Sequence, residues 1–323
     1  MLSRVADSLY WMARYIERAE HTARLLDTHL DLMLDQGTGN QEERWQRLRE
    51  SLVLPAPADP HDTGTDPMVH YLVLDAENPF SILSSLGAAR ENARQLRQDI
   101  SAEMWAHLNR LHLQLREPSA ASFLAADPRG MLRRVIDGVS LFRGVTHSTI
   151  SHGQCWQFIE VGRFLERAGS VASLLGAHFR HFYKKKEKEG GVQGQDFMEW
   201  VGLLKACGGF EAYCNQYTAD FKPEYIAEFL LLDTRFPRSV CFSAQRIDEC
   251  LHRLGDLCEG PSTPNLHRAS GKLASMLRYG QIGEILETGL PATAEHVREQ
   301  CGGLHQAVYR AFVSFPLENA LAA

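Results

Sequence analysis

Apolar residues recur at heptad spacing over residues 2–35, where Leu9, Met12, Ile16, Ala19, Ala23, Leu26, Leu30 and Met33 form one stripe of a long amphipathic helix. The same frame returns over 154–183 in Phe158, Val161, Leu165, Ala168, Ala172, Leu175, Phe179 and Phe182. Inside it, Ala13-Arg14-Tyr15-Ile16-Glu17-Arg18-Ala19 is echoed by Gly162-Arg163-Phe164-Leu165-Glu166-Arg167-Ala168, an offset of 149 residues counted from Glu17 to Glu166. In both copies the Glu-Arg pair falls just off the apolar stripe, and Arg14 or Arg163 shares its side one turn earlier. The repeat preserves an angular position as well as letters. It points to an internal duplication: two related helical units, approximately 1–150 and 151–323, packed around a shared centre in a single domain spanning 1–323.

Elsewhere the pattern predicts a helix at 42–54, a turn-forming loop from Pro55 to Pro67, a long helix between Pro79 and Pro118, and another over 131–149. Beyond the mixed-charge stretch from Lys184 to Gly191, which reads as a solvated helix end and connector, helical periods resume at 196–219, 224–234, 240–258, 265–288 and 292–313. Strand alternation is absent and Val and Ile are sparse. The expectation is an all-α multi-helix bundle with antiparallel packing of long helices.

Composition narrows the setting. The 323 residues are 44% hydrophobic and 23% charged, which suits a water-soluble core-forming chain. A formal charge of −6 gives no electrostatic reason to expect nucleic acid or an anionic membrane as the main partner. No apolar run approaches the roughly 20 residues that span a bilayer, and Arg4, Asp7 and Arg14 interrupt the first helix where a signal peptide needs an apolar core. Seven cysteines without a CxxC pair suit buried thiols in a reducing compartment. The cytoplasm is the expected location.

Glu17 and Glu166 are the residues most open to chemistry. One reading makes them structural ties, Glu17 to Arg14 and Glu166 to Arg163 within each helix, worth a few tenths of a kcal/mol if exposed. A second brings the two Glu-Arg faces together, so that Arg14, Arg18, Arg163 and Arg167 hold a carboxylate or phosphate through bidentate contacts. A third makes Glu17 and Glu166 the acid and base of an autonomous enzyme, with Arg18 and Arg167 binding substrate charge; neighbouring arginines oppose the raised pKa that an acid needs. No metal set is expected, because His21 follows Glu17 at i+4 rather than i+3 and Glu166 is followed there by Gly169 and Ser170. No phosphate-binding loop, nucleophile elbow or dinucleotide fingerprint is present, so no cofactor is expected.

Two further polar strings qualify as binding candidates. Arg90, Glu91, Asn92 and Arg94 crowd one stretch of a core helix whose packing falls to Ala89, Ala93 and Leu96. Arg238 and Ser239 follow Pro237, where a helix must stop; they either satisfy backbone groups at the boundary or present an anion site at a helix start.

Taken in order, the two Glu-Arg helices, Arg90 to Arg94, Glu103-Met104-Trp105 and Phe236-Pro237-Arg238-Ser239-Val240 resemble the bacterial α-E family, an all-helical domain named for its ER motif. The resemblance covers essentially the whole chain. It implies a companion of circularly permuted ATP-grasp ligases, often found with transglutaminase-like proteases, in a peptide or amide bond-forming system, with a peptide substrate. It implies no chemistry for the domain itself, which leaves substrate holding, scaffolding and autonomous catalysis open.

Overall fold

A computed structural model describes residues 3–36, 41–55, 65–189, 194–218, 220–257 and 263–313, and among these every regular element is a helix. In chain order they are α1 (Ser3–Gln36), α2 (Gln41–Leu52), α3 (Thr65–Val73), α4 (Ile82–Gln95), α5 (Ala102–Arg116), α6 (Ala120–Ala126) and α7 (Pro128–Thr149). There follow α8 (Gln154–Glu189), α9 (Gly194–Ala206), α10 (Phe210–Tyr217), α11 (Pro223–Leu232), α12 (Val240–Leu257), α13 (Thr263–Arg278), α14 (Ile282–Thr288) and α15 (Leu290–Phe312). The all-α expectation holds.

The stripes seen in the sequence build the centre. Leu9, Met12, Ile16, Ala19, Ala23, Leu26 and Leu30 of α1 are buried, as are Phe158, Val161, Leu165, Ala168, Ala172, Leu175 and Phe179 of α8. These two helices pack on each other, and α4 and α7 cover α1 while α12 and α15 cover α8. Contacts between them climb together: Gly162 meets Tyr10, Glu166 meets Arg14 and Arg18, and Arg167 meets Glu17. The central pair is therefore parallel, where antiparallel packing was expected; the long stretch of chain between them lets α8 start again at the same end. Gly162 permits the approach, since a Cβ there would lie 2.3 Å from the Tyr10 carbonyl oxygen.

Several expected helices are broken by local chemistry that periodicity does not register. Between Pro79 and Pro118 the chain forms α4 and α5, because Ser101 adopts an extended backbone and its hydroxyl accepts from Met104 N at 3.1 Å. Leu96 and Ile100 stay buried across the break, so the apolar pattern runs on while the backbone turns. Gly208, with φ +59°, separates α9 from α10 within 196–219. The 265–288 segment also divides, around Tyr279–Gln281, into α13 and α14. Of the expected Pro55–Pro67 loop, residues 56–64 lie outside the described residues, and Asp66-Pro67 open α3, where a first-turn proline costs no hydrogen bond. The helix α8 extends past Tyr183 through the lysine run to Glu189; Gly190 and Gly191 lie outside the described residues.

Candidate functional site

The Glu-Arg pairs cross over between the central helices. Glu166 of α8 accepts from Arg18 Nε and Arg14 Nε of α1, both at 2.7 Å. Glu17 of α1 accepts from Arg167 of α8, through Nε at 2.7 Å and Nη2 at 2.9 Å. Each motif's carboxylate is thus held by the other motif's arginine. The intrahelical ties Glu17–Arg14 and Glu166–Arg163 are not formed; Arg163 turns to Glu160, at 2.6 Å. The reason is geometric: parallel helices with matching stripes bring matching polar flanks face to face, so each Glu meets guanidinium groups converging from the other helix.

Around Glu17 the carboxylates are enclosed by arginines. Arg143 from α7 reaches both Glu17 and Glu20, Arg238 reaches Glu20 with Glu17 at 3.7 Å, and Arg24 Nε donates to Glu20 at 2.7 Å. Arg167 completes its own set by donating Nη1 to the Pro237 carbonyl at 2.9 Å. Glu17 and Glu20 are almost wholly buried. Burial pushes both carboxyls up, but the guanidinium groups outweigh it: Glu17 sits well below the ordinary carboxylate range and Glu20 at about 2. Burial, reinforced by Arg238 and Arg143, brings Arg167 down to about 10, so it remains charged near neutrality.

Around Glu166 the network is open. The Arg14 Nη1 group approaches Tyr10 Oη at 3.2 Å and His305 Nδ1 at 3.3 Å, and Tyr10 Oη lies 2.9 Å from that same ring nitrogen. Beyond these residues lies a cavity of about 350 Å³ lined by Arg14, Arg18, His21, Glu166, Arg298 and His305, with Ser170 and Ser173 on its α8 wall. Arg18 spends only Nε on Glu166, and its two Nη groups make no hydrogen bond among the described residues. Gly169, at the position equivalent to Glu20, leaves the wall without a side chain; a Cβ there meets nothing within 4 Å. Val53, a β-branched residue with φ 55°, turns the chain at the cavity mouth. Burial opposes ionisation of Glu166, yet Arg14 and Arg18 still lower its pKa.

The other expected residues divide. Arg238 joins the closed network, but as a partner of carboxylates rather than at a free helix start. Ser239 caps α12: its hydroxyl accepts from Phe242 N at 3.0 Å and donates to the Asp233 carbonyl. The Arg90–Arg94 string is apart from the crossover. Arg90 donates to Asn109 at 2.7 Å and lies over Trp105, Asn92 bonds the Ala88 carbonyl, and Arg94 pairs with Glu91 in the open.

Glu20, Arg143, Arg24, Tyr10 and His305 belong to the network without having been selected in the sequence. Glu20 had a legible signal, since it sits one turn past Glu17 on the same side of α1. Arg143, Tyr10 and His305 had none, because they meet the crossover only through tertiary packing. Among the described residues no group of three or more His, Cys, Asp or Glu side chains is placed to hold a metal ion, and no helix is long and apolar enough to cross a membrane.

Residues 1–313 match the Alpha-E family model, described as a predicted alpha-helical domain with a conserved ER motif. The chain belongs to the Alpha-E family. Its relatives include the uncharacterized proteins Mb2597 of Mycobacterium bovis and Rv2567 of Mycobacterium tuberculosis, each 22% identical over 327 residues. The alignment covers 94% of this chain and 35% of theirs, so the chain spans about a third of the length of these relatives. No solved structure matches it.

Proposed function

We propose that this Alpha-E domain is the substrate-holding partner of a circularly permuted ATP-grasp ligase in a peptide or amide bond-forming system, and that its own part is binding rather than bond chemistry. The observation that carries this reading is the division of labour within the crossover: the carboxylates are consumed by tying α1 to α8, while Arg18 keeps guanidinium edges for the 350 Å³ cavity. With Arg298, His21 and His305 on the same walls, the cavity suits the carboxylate end of a peptide.

Autonomous acid–base catalysis by Glu17 and Glu166 is less well supported. Arginines lower the pKa of both, so each is a carboxylate near neutrality with its lone pairs engaged and no proton to give. A purely structural scaffold accounts for Glu17 but leaves the open arginines around Glu166 without a purpose. The relatives support a domain that works beside another, because about two thirds of their length lies outside the matched region. The two-unit organisation is also part of this proposal. Support comes from helix order, since α4, α5, the seven-residue α6 and α7 after α1 are paralleled by α12, α13, the seven-residue α14 and α15 after α8.

The test is a pull-down and product assay with a circularly permuted ATP-grasp ligase from the same organism, using wild type, Arg18→Gln and Arg298→Gln. Both variants should fold and lose product formation at limiting peptide. Folded variants that bind the ligase and support product at wild-type levels would sink the proposal.

A further inference from the structure

A second cavity, of about 650 Å³, opens on a different face of α8, between α7 and α12. Its walls carry Arg143, Arg163, Arg167, Arg238, Arg246 and Arg253, against a single lining carboxylate, Glu160. We propose that this cavity is a phosphate-recognition site, taking a free phosphate or a phosphomonoester, and that it is separate from the carboxylate-binding role assigned to the Glu166 side.

Three observations support the assignment. The first is charge: counting Arg24, which shares Glu20, seven guanidinium groups face four carboxylates, Glu17, Glu20, Glu160 and Glu249, so three positive charges are left uncompensated, enough to hold one phosphate dianion. A lone carboxylate ligand would answer only a third of that excess. The second is donor availability. The Nε groups of Arg143 and Arg163 are buried and have no acceptor among the described residues, and Arg246, whose Nη1 donates to Glu249 at 2.5 Å, leaves Nη2 4.0 Å from Glu160. The third is shape: the arginines come from α7, α8, α12 and the turn before α12, surrounding the cavity on several sides as a tetrahedral oxyanion requires. The aromatic walls fix the arginines in place, with the Arg163 guanidinium 4.4 Å over the Phe164 ring and that of Arg167 at 5.3 Å.

Arg246 and Arg253 are the residues to change, because neither belongs to the buried crossover. Calorimetric titration of the full chain with inorganic phosphate and with O-phosphoserine should show saturable binding that acetate does not displace. The double variant Arg246→Gln/Arg253→Gln should bind at least tenfold more weakly with an unchanged melting temperature, and Arg18→Gln, on the other cavity, should bind as wild type. Tighter binding of phosphoserine than of phosphate would identify an esterified ligand, the reverse a free one, and both support the site. Absence of saturable binding, equal displacement by acetate, undiminished binding in the double variant, or loss of binding in Arg18→Gln would each overturn it. The last result would point to the Glu166 cavity instead, and none depends on the ligase partnership.

Discussion

Glu17 and Glu166 stand in nearly the same seven letters, yet one is sealed in and the other borders a cavity. Glu17 has Glu20 beside it, and that second carboxylate draws Arg143, Arg238 and Arg24 into a closed network. The position equivalent to Glu20 beside Glu166 is Gly169, which attracts no cation and fills no space. A motif therefore does not set its own role; one neighbour a turn away decides whether it becomes a buried tie or the wall of a site.

Removing each carboxylate should expose that difference most strongly. Glu17→Ala leaves Arg167 and Arg143 facing one another in a buried setting and should cost roughly 3–5 kcal/mol. Glu166→Ala leaves Arg14 and Arg18 beside an open cavity where water reaches them, and should cost about 2 kcal/mol. Urea unfolding of both variants measures the gap; equal losses would erase the distinction between closed and open sides.

Acid should act next. Burial holds His21 and His178 neutral, lowering their pKa values from 6.5 to about 4 and about 3. These imidazoles protonate more readily in the unfolded chain, so stability is complete above about pH 6.5 and falls as pH drops, by up to about 1.4 kcal/mol per unit for each histidine. Glu17 and Glu20, with depressed pKa values, add a second loss as pH falls from about 4.5 towards 2. Urea midpoints at pH 7.5 and 5.0 should differ, and His178→Gln should reduce the difference; superimposable midpoints would contradict neutral burial.

Smaller effects separate the helices' remaining differences. Gly162→Ala forces a methyl against the Tyr10 carbonyl and should cost roughly 1–3 kcal/mol, visible as a lowered melting temperature. Gly169→Glu introduces the missing carboxylate into open space; stability should move by less than about 1 kcal/mol, while peptide-dependent product formation falls because Arg18 gains an internal partner. Retained product formation would show that the cavity does not need its open arginine. Arg94→Ala, in an exposed pair with Glu91, should leave the melting temperature unchanged.

Periodicity located the helical stretches well because apolar spacing reports which face each helix buries, and that is a one-dimensional property. It failed at Ser101 and Gly208, where a cap starts a new helix or a left-handed backbone ends one inside an unbroken apolar pattern. Phe236-Pro237-Arg238-Ser239 was legible in half: the helix boundary and the Ser239 cap follow from local rules, whereas the Arg238 contact with Glu20 joins residues far apart in the chain.

The all-helical fold, the long central helices and the matching azimuth of their Glu-Arg pairs were determined by the sequence itself, since each depends on side-chain spacing along a single helix. The parallel pairing, the exchange of arginines and the contrast between a closed and an open carboxylate were decided only by tertiary structure. A charged side chain chooses its partner by three-dimensional distance and by the water left around it, and neither is encoded at any one position.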